Sequence, residues 1–264
     1  MSAYERDGFE FPIRVISEAE ATRFVGELEL AEGLVDSALD KKILYGFANM
    51  VLPFVDELSR RPSITSAVSN VLGPDLLVLG ASFFVKEPHS PAFVSWHQDL
   101  TYWELNDLAE VTAWLALTPA TTENGCMQFI RGSHRSDVVA HRDTFASDNM
   151  LSRGQELAID VASDDAVDVV LGAGEMSLHH GHMFHGSNPN GSDGRRIGLA
   201  LRYIAPSMRQ IGGHKTFATL VAGEDRFGHF QSFPAPVEVL AAADRSRAQV
   251  SMELQNEVRL GNPT

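Results

Sequence analysis

The sequence predicts a mainly β protein with flanking helices: a double-stranded β-helix, the cupin-like jelly roll, preceded by an N-terminal helical segment. Three observations carry that prediction. The first 75 or so residues read mainly as helix. From Leu76 onward the pattern changes to about eight short runs rich in β-branched and aromatic residues, cut by Gly, Pro and Asn. No helical pattern separates successive runs, as a parallel α/β sheet would require.

Each element has a local reason. Ser17 is placed to cap a helix through Glu18, Ala21, Phe24, Val25 and Leu28, with Glu20 at the capping-box position. A second helix fits about 37–58, and Ser63 is placed to cap a third that ends near Gly73-Pro74. Strands follow at roughly 76–87, 92–99, 110–118, 126–130, 157–161, 167–170, 174–179 and 196–204. The span 134–156 reads as a long insertion, and long ordered loops over a barrel mouth often serve as lids or substrate walls. After about 206 the chain is Gly-rich and irregular, then helical near 236–256. The organisation expected is one domain over 1–264, with a helical preface to about 75, a jelly-roll core over about 76–206, and an extension over 207–264.

Composition narrows the function. A hydrophobic share of 44% supports a full core, and a formal net charge of -14 argues against a general binder of nucleic acid or anionic membrane. No apolar run approaches the roughly 20 residues that span a bilayer. The start, Met1 to Asp7, lacks the basic and apolar stretches of a signal peptide. Cys126 is the single cysteine, which rules out an intrachain disulfide and fits a reducing compartment. The expected setting is therefore cytoplasmic. The expected partner is a small-molecule substrate, with no nucleic acid and no membrane; the oligomeric state is left open, a homodimer included.

The chemistry is concentrated in two segments. His97-Gln98-Asp99 is answered by His185, 86 residues beyond Asp99. Two histidines and one carboxylate hold a metal on one face and leave the opposite face open, the ligand set of non-haem Fe(II) enzymes that activate O2. A strand running through His97 and Asp99 would point both side chains the same way. In many such enzymes the open face takes 2-oxoglutarate and O2, and the far carboxylate of that co-substrate calls for a cation, ideally a bidentate arginine. Arg195 and Arg196 follow His185 by 10 and 11 residues. Arg196 shares a strand face with Gly198 and Ala200, which leaves space for a ligand, whereas Arg195 lies with Ile197, Leu199 and Leu201, a face built to pack. Arg196 is the better candidate.

The motifs around these residues resemble the phytanoyl-CoA dioxygenase (PhyH) family of Fe(II)/2-oxoglutarate-dependent oxygenases. The matching stretch begins at Lys86 and takes in His97-Gln98-Asp99-Leu100-Thr101-Tyr102-Trp103, Thr112 to Leu117 and Glu123 to Met127. It continues through Arg131-Gly132-Ser133-His134 and His185 to Ser192, ending at Arg195-Arg196. The resemblance implies that His97, Asp99 and His185 ligate iron and that Arg196 binds 2-oxoglutarate. It also implies that Gln98, Trp114 and Ser187 line the co-substrate pocket, and that Fe(II), 2-oxoglutarate and O2 are the cofactor and co-substrates. Tyr102 and Trp103 are candidates for the substrate wall, although buried aromatics also pack cores without any ligand. Halogenases of the family replace the carboxylate ligand with a small residue, so Asp99 implies hydroxylation and not halogenation. The function expected is hydroxylation of an unactivated C–H of a small metabolite, with release of succinate and CO2. The alternative is a non-catalytic jelly-roll module that binds a metal or ligand, and the crowding of His179, His180, His182 and His185 also admits a His-rich zinc site.

Overall fold

The computed structural model describes residues 2–151, 153–159, 161 and 165–260, with Tyr102, Arg259 and Leu260 described by their backbone alone. The N-terminal half runs α1 (Ala3–Asp7), β1 (Phe9–Arg14), α2 (Glu18–Glu32), α3 (Ala38–Gly46), α4 (Ala48–Val51), α5 (Pro53–Ser59), α6 (Pro62–Leu72), β2 (Leu76–Lys86), β3 (Val94–His97), β4 (Glu110–Ala116) and β5 (Met127–Ile130). There follow β6 (His141–Asp143), β7 (Gln155–Leu157), β8 (Ala166–Val169), β9 (Glu175–His179), β10 (His185–Ser187), β11 (Arg196–Ile204), β12 (Thr219–Ala222) and α7 (Ala242–Leu260).

These elements form two compact units, the first comprising Met1–Thr22, Phe84–Thr101 and Trp114–Leu199. Within it one sheet carries the order β1-β9-β4-β11 and a second carries β3-β10-β5-β8. The pairings are antiparallel, with Phe9 opposite His179, His185 opposite both His97 and Phe129, and Met127 opposite Val169. The sheets face one another: the Phe9 and Phe129 rings lie 5.0 Å apart, and Phe129 also packs on His179 at 5.1 Å. This is the double-stranded β-helix, with aromatic and imidazole rings filling its interior. The hairpin β6–β7 occupies the span 134–156 read as an insertion.

The second unit comprises Arg23–Phe83, Tyr102–Ala113 and Ala200–Thr264. Its sheet order is β11-β2-β12, with Thr219 opposite Val78. Phe24, Leu28, Leu52, Leu58, Ile64, Val78 and Tyr203 are buried there, and α7 packs against α3 and α4.

Several elements differ from the sequence reading. The helical preface contains β1, where Phe9, Phe11 and Ile13 alternate with Glu10, Pro12 and Arg14. The single helix over 37–58 is three: Phe47 leaves the helical region at φ -133°, and Pro53, which lacks an N–H, opens α5. Ser63 does not cap α6, because Pro62 already occupies its first turn and Arg61 stands at the cap. Ser17 and Glu20 do form the reciprocal cap at the head of α2, at 3.2 Å and 2.9 Å. The strand at 157–161 lies instead at Gln155–Leu157, and the C-terminal helix extends to Leu260.

Candidate metal centre

All three predicted ligands lie in the first unit, brought together by β3 and β10. His97 ends β3 and His185 opens β10, and antiparallel pairing sets them opposite one another with ring centroids 4.0 Å apart. Asp99 arrives differently from the sequence reading. The strand stops at His97, and Asp99 begins a short 3₁₀ turn over Asp99–Tyr102, so strand pleating does not aim its carboxylate. The turn is tied down where Leu100 N–H donates to the Gly181 carbonyl at 3.1 Å. Asp99 Oδ1 then lies 3.5 Å from His97 Nε2 and 3.9 Å from His185 Nε2. One ligand atom from each of the three residues falls within 4.8 Å of the others, the only such His, Cys, Asp or Glu group among the described residues.

Backbone hydrogen bonds orient both imidazoles. His97 Nδ1 donates to the Ser95 carbonyl at 2.9 Å, and His185 Nδ1 donates to the Met183 carbonyl at 2.9 Å. Each bond fixes the tautomer and leaves the Nε2 lone pair facing Asp99, as metal-binding histidines require. Burial, then the neighbouring His97, hold the His185 pKa well below 6.5, with Asp99 opposing. The ring is therefore neutral at neutral pH, the form that binds a cation.

Arg196 heads β11 and is 1% exposed. Its guanidinium carbon lies 5.4 Å from the centre of the Trp114 ring, while its Nε and Nη2 make no hydrogen bond among the described residues. Burial lowers its pKa only to about 10, so the side chain stays cationic. A buried cation with unsatisfied donors is costly, and a carboxylate arriving from outside would satisfy it. Arg195 faces the other way, bonding Glu87 through Nε and Nη2 at 3.1 Å. The room beside Gly198 is not open to a ligand: a Cβ there would overlap the Trp114 indole, so glycine is needed to seat that ring.

Other predicted residues take varied positions. Ser187 is buried and accepts from Lys86 Nζ at 2.7 Å. Gln98 is also buried, but its amide is engaged with backbone: it donates to His182 and Asp137 carbonyls at 3.0 Å and 3.4 Å and accepts from Val139 N–H at 2.9 Å. Gln98 thereby braces the metal strand against the following loops. Trp103 belongs to the second unit, where Arg202 stacks over it at 5.4 Å. The side chain of Tyr102 lies outside the described residues. His180 accepts from His182 N–H at 3.0 Å and packs near His134 at 5.7 Å, so these rings brace one another and do not join the triad.

Two residues stand in positions that the sequence reading did not assign to them. Lys86 is fully buried at the end of β2, donates to Ser187 and to the Asn188 carbonyl, and has its pKa pushed down to about 6 by burial and then by Arg196. Its signals in the sequence were its place at the end of a largely apolar strand and at the start of the family-like stretch. His179 reaches Asp99 from the opposite sheet, its Nε2 3.9 Å from Oδ2. The thiol of Cys126 is buried, and burial with Asp168 raises its pKa to about 11, which fits a core residue and not a nucleophile.

Comparison with known proteins now decides the family. The family model for phytanoyl-CoA dioxygenase (PhyH) matches residues 4–198. The chain belongs to this family. Among solved structures it is similar to the non-heme monooxygenase ThoJ, at 31% identity and TM-score 0.87, covering 98% of this chain and 96% of that one. A probable alpha-ketoglutarate-dependent hypophosphite dioxygenase of Stutzerimonas stutzeri is 28% identical over 70% of this chain and 64% of its own length. Phytanoyl-CoA dioxygenase domain-containing protein 1 of Rattus norvegicus is 33% identical over 54% of this chain and 50% of its own length. The chain thus spans between half and two thirds of the length of these two curated PhyH relatives. Among the described residues no helix is long and apolar enough to cross a membrane.

Proposed function

We propose that this PhyH-family protein is an Fe(II)- and 2-oxoglutarate-dependent dioxygenase that hydroxylates an unactivated C–H of a small-molecule metabolite. His97, Asp99 and His185 are the metal ligands and Arg196 anchors the co-substrate. The observation that carries this reading is the pairing, within one unit, of a His-Asp-His triad whose histidines are buried with a buried arginine whose Nε and Nη2 have no hydrogen-bond partner among the described residues. The bound iron supplies activation of O2 coupled to oxidative decarboxylation of 2-oxoglutarate to succinate and CO2.

The chain's own residues supply the rest. His97 and His185 present Nε2 atoms oriented by their backbone bonds, and Asp99 contributes a carboxylate. Arg196 receives the distal carboxylate by charged hydrogen bonds, with Trp114 walling its guanidinium face. Lys86 and Ser187 form a second polar pair, and with the Lys86 pKa pushed down to about 6 it contributes hydrogen bonding and little positive charge at neutral pH. The low exposure of every one of these groups keeps water out and strengthens the electrostatics. Tyr102 and Trp103 are our candidates for substrate contact, and a single cysteine suits the reducing cytoplasm.

The deciding experiment supplies Fe(II), O2 and 2-oxoglutarate to the purified protein and measures succinate, first alone and then with a metabolite library. Slow succinate release that a substrate accelerates, and that His97→Ala, Asp99→Ala and His185→Ala each abolish, is the expected result. A metal-binding jelly-roll module would instead bind the ion and leave 2-oxoglutarate intact.

A further inference from the structure

We propose that Arg202 anchors a carboxylate of the primary substrate, which makes the substrate class of this protein a small carboxylic acid. This rests on the reading of the chain as a 2-oxoglutarate-dependent oxygenase and names the substrate class within it.

Arg202 lies in the second unit, half-buried on β11. Its Nη1 donates to Ser82 Oγ at 2.9 Å, and Ser82 in turn donates to the Gly46 carbonyl at 3.2 Å. Its guanidinium carbon stands 5.4 Å from the centre of the Trp103 ring. The segment that carries Trp103 is itself tied down: Ile211 N–H donates to the Glu104 carbonyl at 2.7 Å, and Arg209 N–H donates to Asn106 Oδ1 at 2.7 Å. Ser82 and the indole together hold the guanidinium plane, so its remaining edge is presented in a fixed direction. That edge is formed by Nε and Nη2. Nε is buried without a hydrogen bond among the described residues, and Nη1 is the guanidinium nitrogen that has one.

A shortage of acids does not explain the open edge, because the chain has 35 acidic side chains against 21 basic ones. Among the described residues, the other buried or half-buried arginines, Arg196 excepted, each lie within 4.0 Å of a carboxylate, as Arg195 does with Glu87. Arg196 and Arg202 thus share one condition, and Arg196 leaves open the same two nitrogens, Nε and Nη2. An arginine keeps its charge at any pH that a folded protein meets, so partial burial without a counter-charge has a cost that an arriving anion removes. Two parallel N–H groups match the two oxygens of one carboxylate. The single positive charge also suits a carboxylate, whereas a phosphate monoester carries about -1.5 to -2 at pH 7 and calls for further cations. Chain connectivity ties both groups to the residues of the proposed chemistry. Trp103 follows Asp99 by four residues, and Arg202 follows Arg196 by six on one strand.

NMR of the arginine Nε–H groups tests the site without turnover. The protein is loaded with Zn(II), which does not activate O2, and with 2-oxoglutarate to occupy Arg196. The Arg202 signal is assigned by its loss in Arg202→Lys. A panel of aliphatic, aromatic and amino acids, each paired with its carboxamide, is then titrated in, with inorganic phosphate alongside. The expected result is a saturable shift by a subset of the acids, none by their carboxamides, and a smaller effect of phosphate. An arginine that only braces Trp103 and Ser82 would not tell an acid from its amide. Equal shifts by acid and amide, no shift by any acid, or a stronger effect of phosphate overturns the carboxylate site.

With Fe(II) and O2, the acids that bind should accelerate succinate release, and Arg202→Gln should raise their KM by about ten- to a hundredfold with a smaller change in kcat. Arg202→Lys should recover part of that loss, and melting checks that both variants fold. Acids that bind but leave succinate release unchanged, in a protein that does turn over 2-oxoglutarate, overturn the substrate role of Arg202 alone. A protein that releases no succinate under any condition overturns the oxygenase reading and the substrate role with it, and the contrast of acid with amide then still decides whether Arg202 is a carboxylate site.

Discussion

Around residue 196 two adjacent arginines show how much a single position decides. Arg196 is buried against Trp114, its Nε and Nη2 without a hydrogen bond among the described residues, while Arg195 is occupied by Glu87. Charged hydrogen bonds of this kind contribute about 1.5–3 kcal/mol, so Arg196→Ala should weaken 2-oxoglutarate binding roughly ten- to a hundredfold. Arg195→Ala removes a partly exposed ion pair and should leave that affinity within about twofold. Titrating 2-oxoglutarate into the metal-loaded variants under nitrogen, following the charge-transfer band, compares the two; a larger loss in Arg195→Ala would refute the assignment. Gly198 gives a second test on the same strand. Any Cβ there meets the Trp114 ring, so Gly198→Ala should cost about 1–3 kcal/mol of stability and weaken 2-oxoglutarate binding by displacing the indole. At this scale the sequence was most legible where residue type and spacing carry the chemistry, as in His97, Asp99, His185 and the pair at 195–196. It was least legible where a partner comes from far along the chain. Lys86 meets Ser187, and His179 meets Asp99 from another sheet, and neither pairing leaves a local pattern.

Elements positioned by pairing follow the same rule. The run from Leu76 and the strand from Arg196 to Ile204 are long and apolar enough to read directly. The strand that carries His185 has three residues, too few for an alternation to show, and it exists because β3 and β5 flank it. Helix boundaries in the first 75 residues failed for a different reason: apolar periodicity continued through Phe47 and Pro53, while backbone geometry did not. The shortness of β10 makes its pairing vulnerable. A Cβ on Gly186 would stand 2.9 Å from the Val94 carbonyl oxygen and 3.3 Å from Trp96 nitrogen, backbone atoms of β3 that cannot rotate away. Gly186→Ala should therefore push β10 off β3, separate His185 from His97, and lower Co(II) affinity by tenfold or more while most of the fold persists. Calorimetric titration of the metal, with circular dichroism to confirm folding, checks this. Unchanged affinity would mean that the two strands tolerate the shift without moving the ligands.

Taken as a whole, the first unit buries an unusual number of imidazoles, and that determines how the molecule responds to acid. Burial, then the like charge of His182 and His134, lowers the His180 pKa to about 4; burial, then His97, holds His185 well below 6.5. His134, His141 and His182 are shifted down as well, each chiefly by burial. In the unfolded chain all of them titrate near 6.5. Between about pH 6.5 and 4 the unfolded state therefore binds protons that the folded state refuses, and stability falls as pH falls through that window. Asp7, lowered to about 2 by its bond to Arg6, acts in the same direction but only below about 3.8. Above pH 6.5 the histidines contribute no further slope. A bound divalent cation adds its own linkage: at a hundred times its Kd it stabilises the fold by about 2.7 kcal/mol, an increment that shrinks as protons compete with the ion for its ligands. Melting temperatures of the metal-free protein should be flat from pH 8 to 7 and drop steadily from 6.5 to 5, with the gain from Co(II) largest at the alkaline end. The slope should lessen in His180→Asn, which removes one titrating ring away from the ligands. A metal-free melting temperature that holds constant down to pH 5 would show that these rings are not kept neutral by the fold.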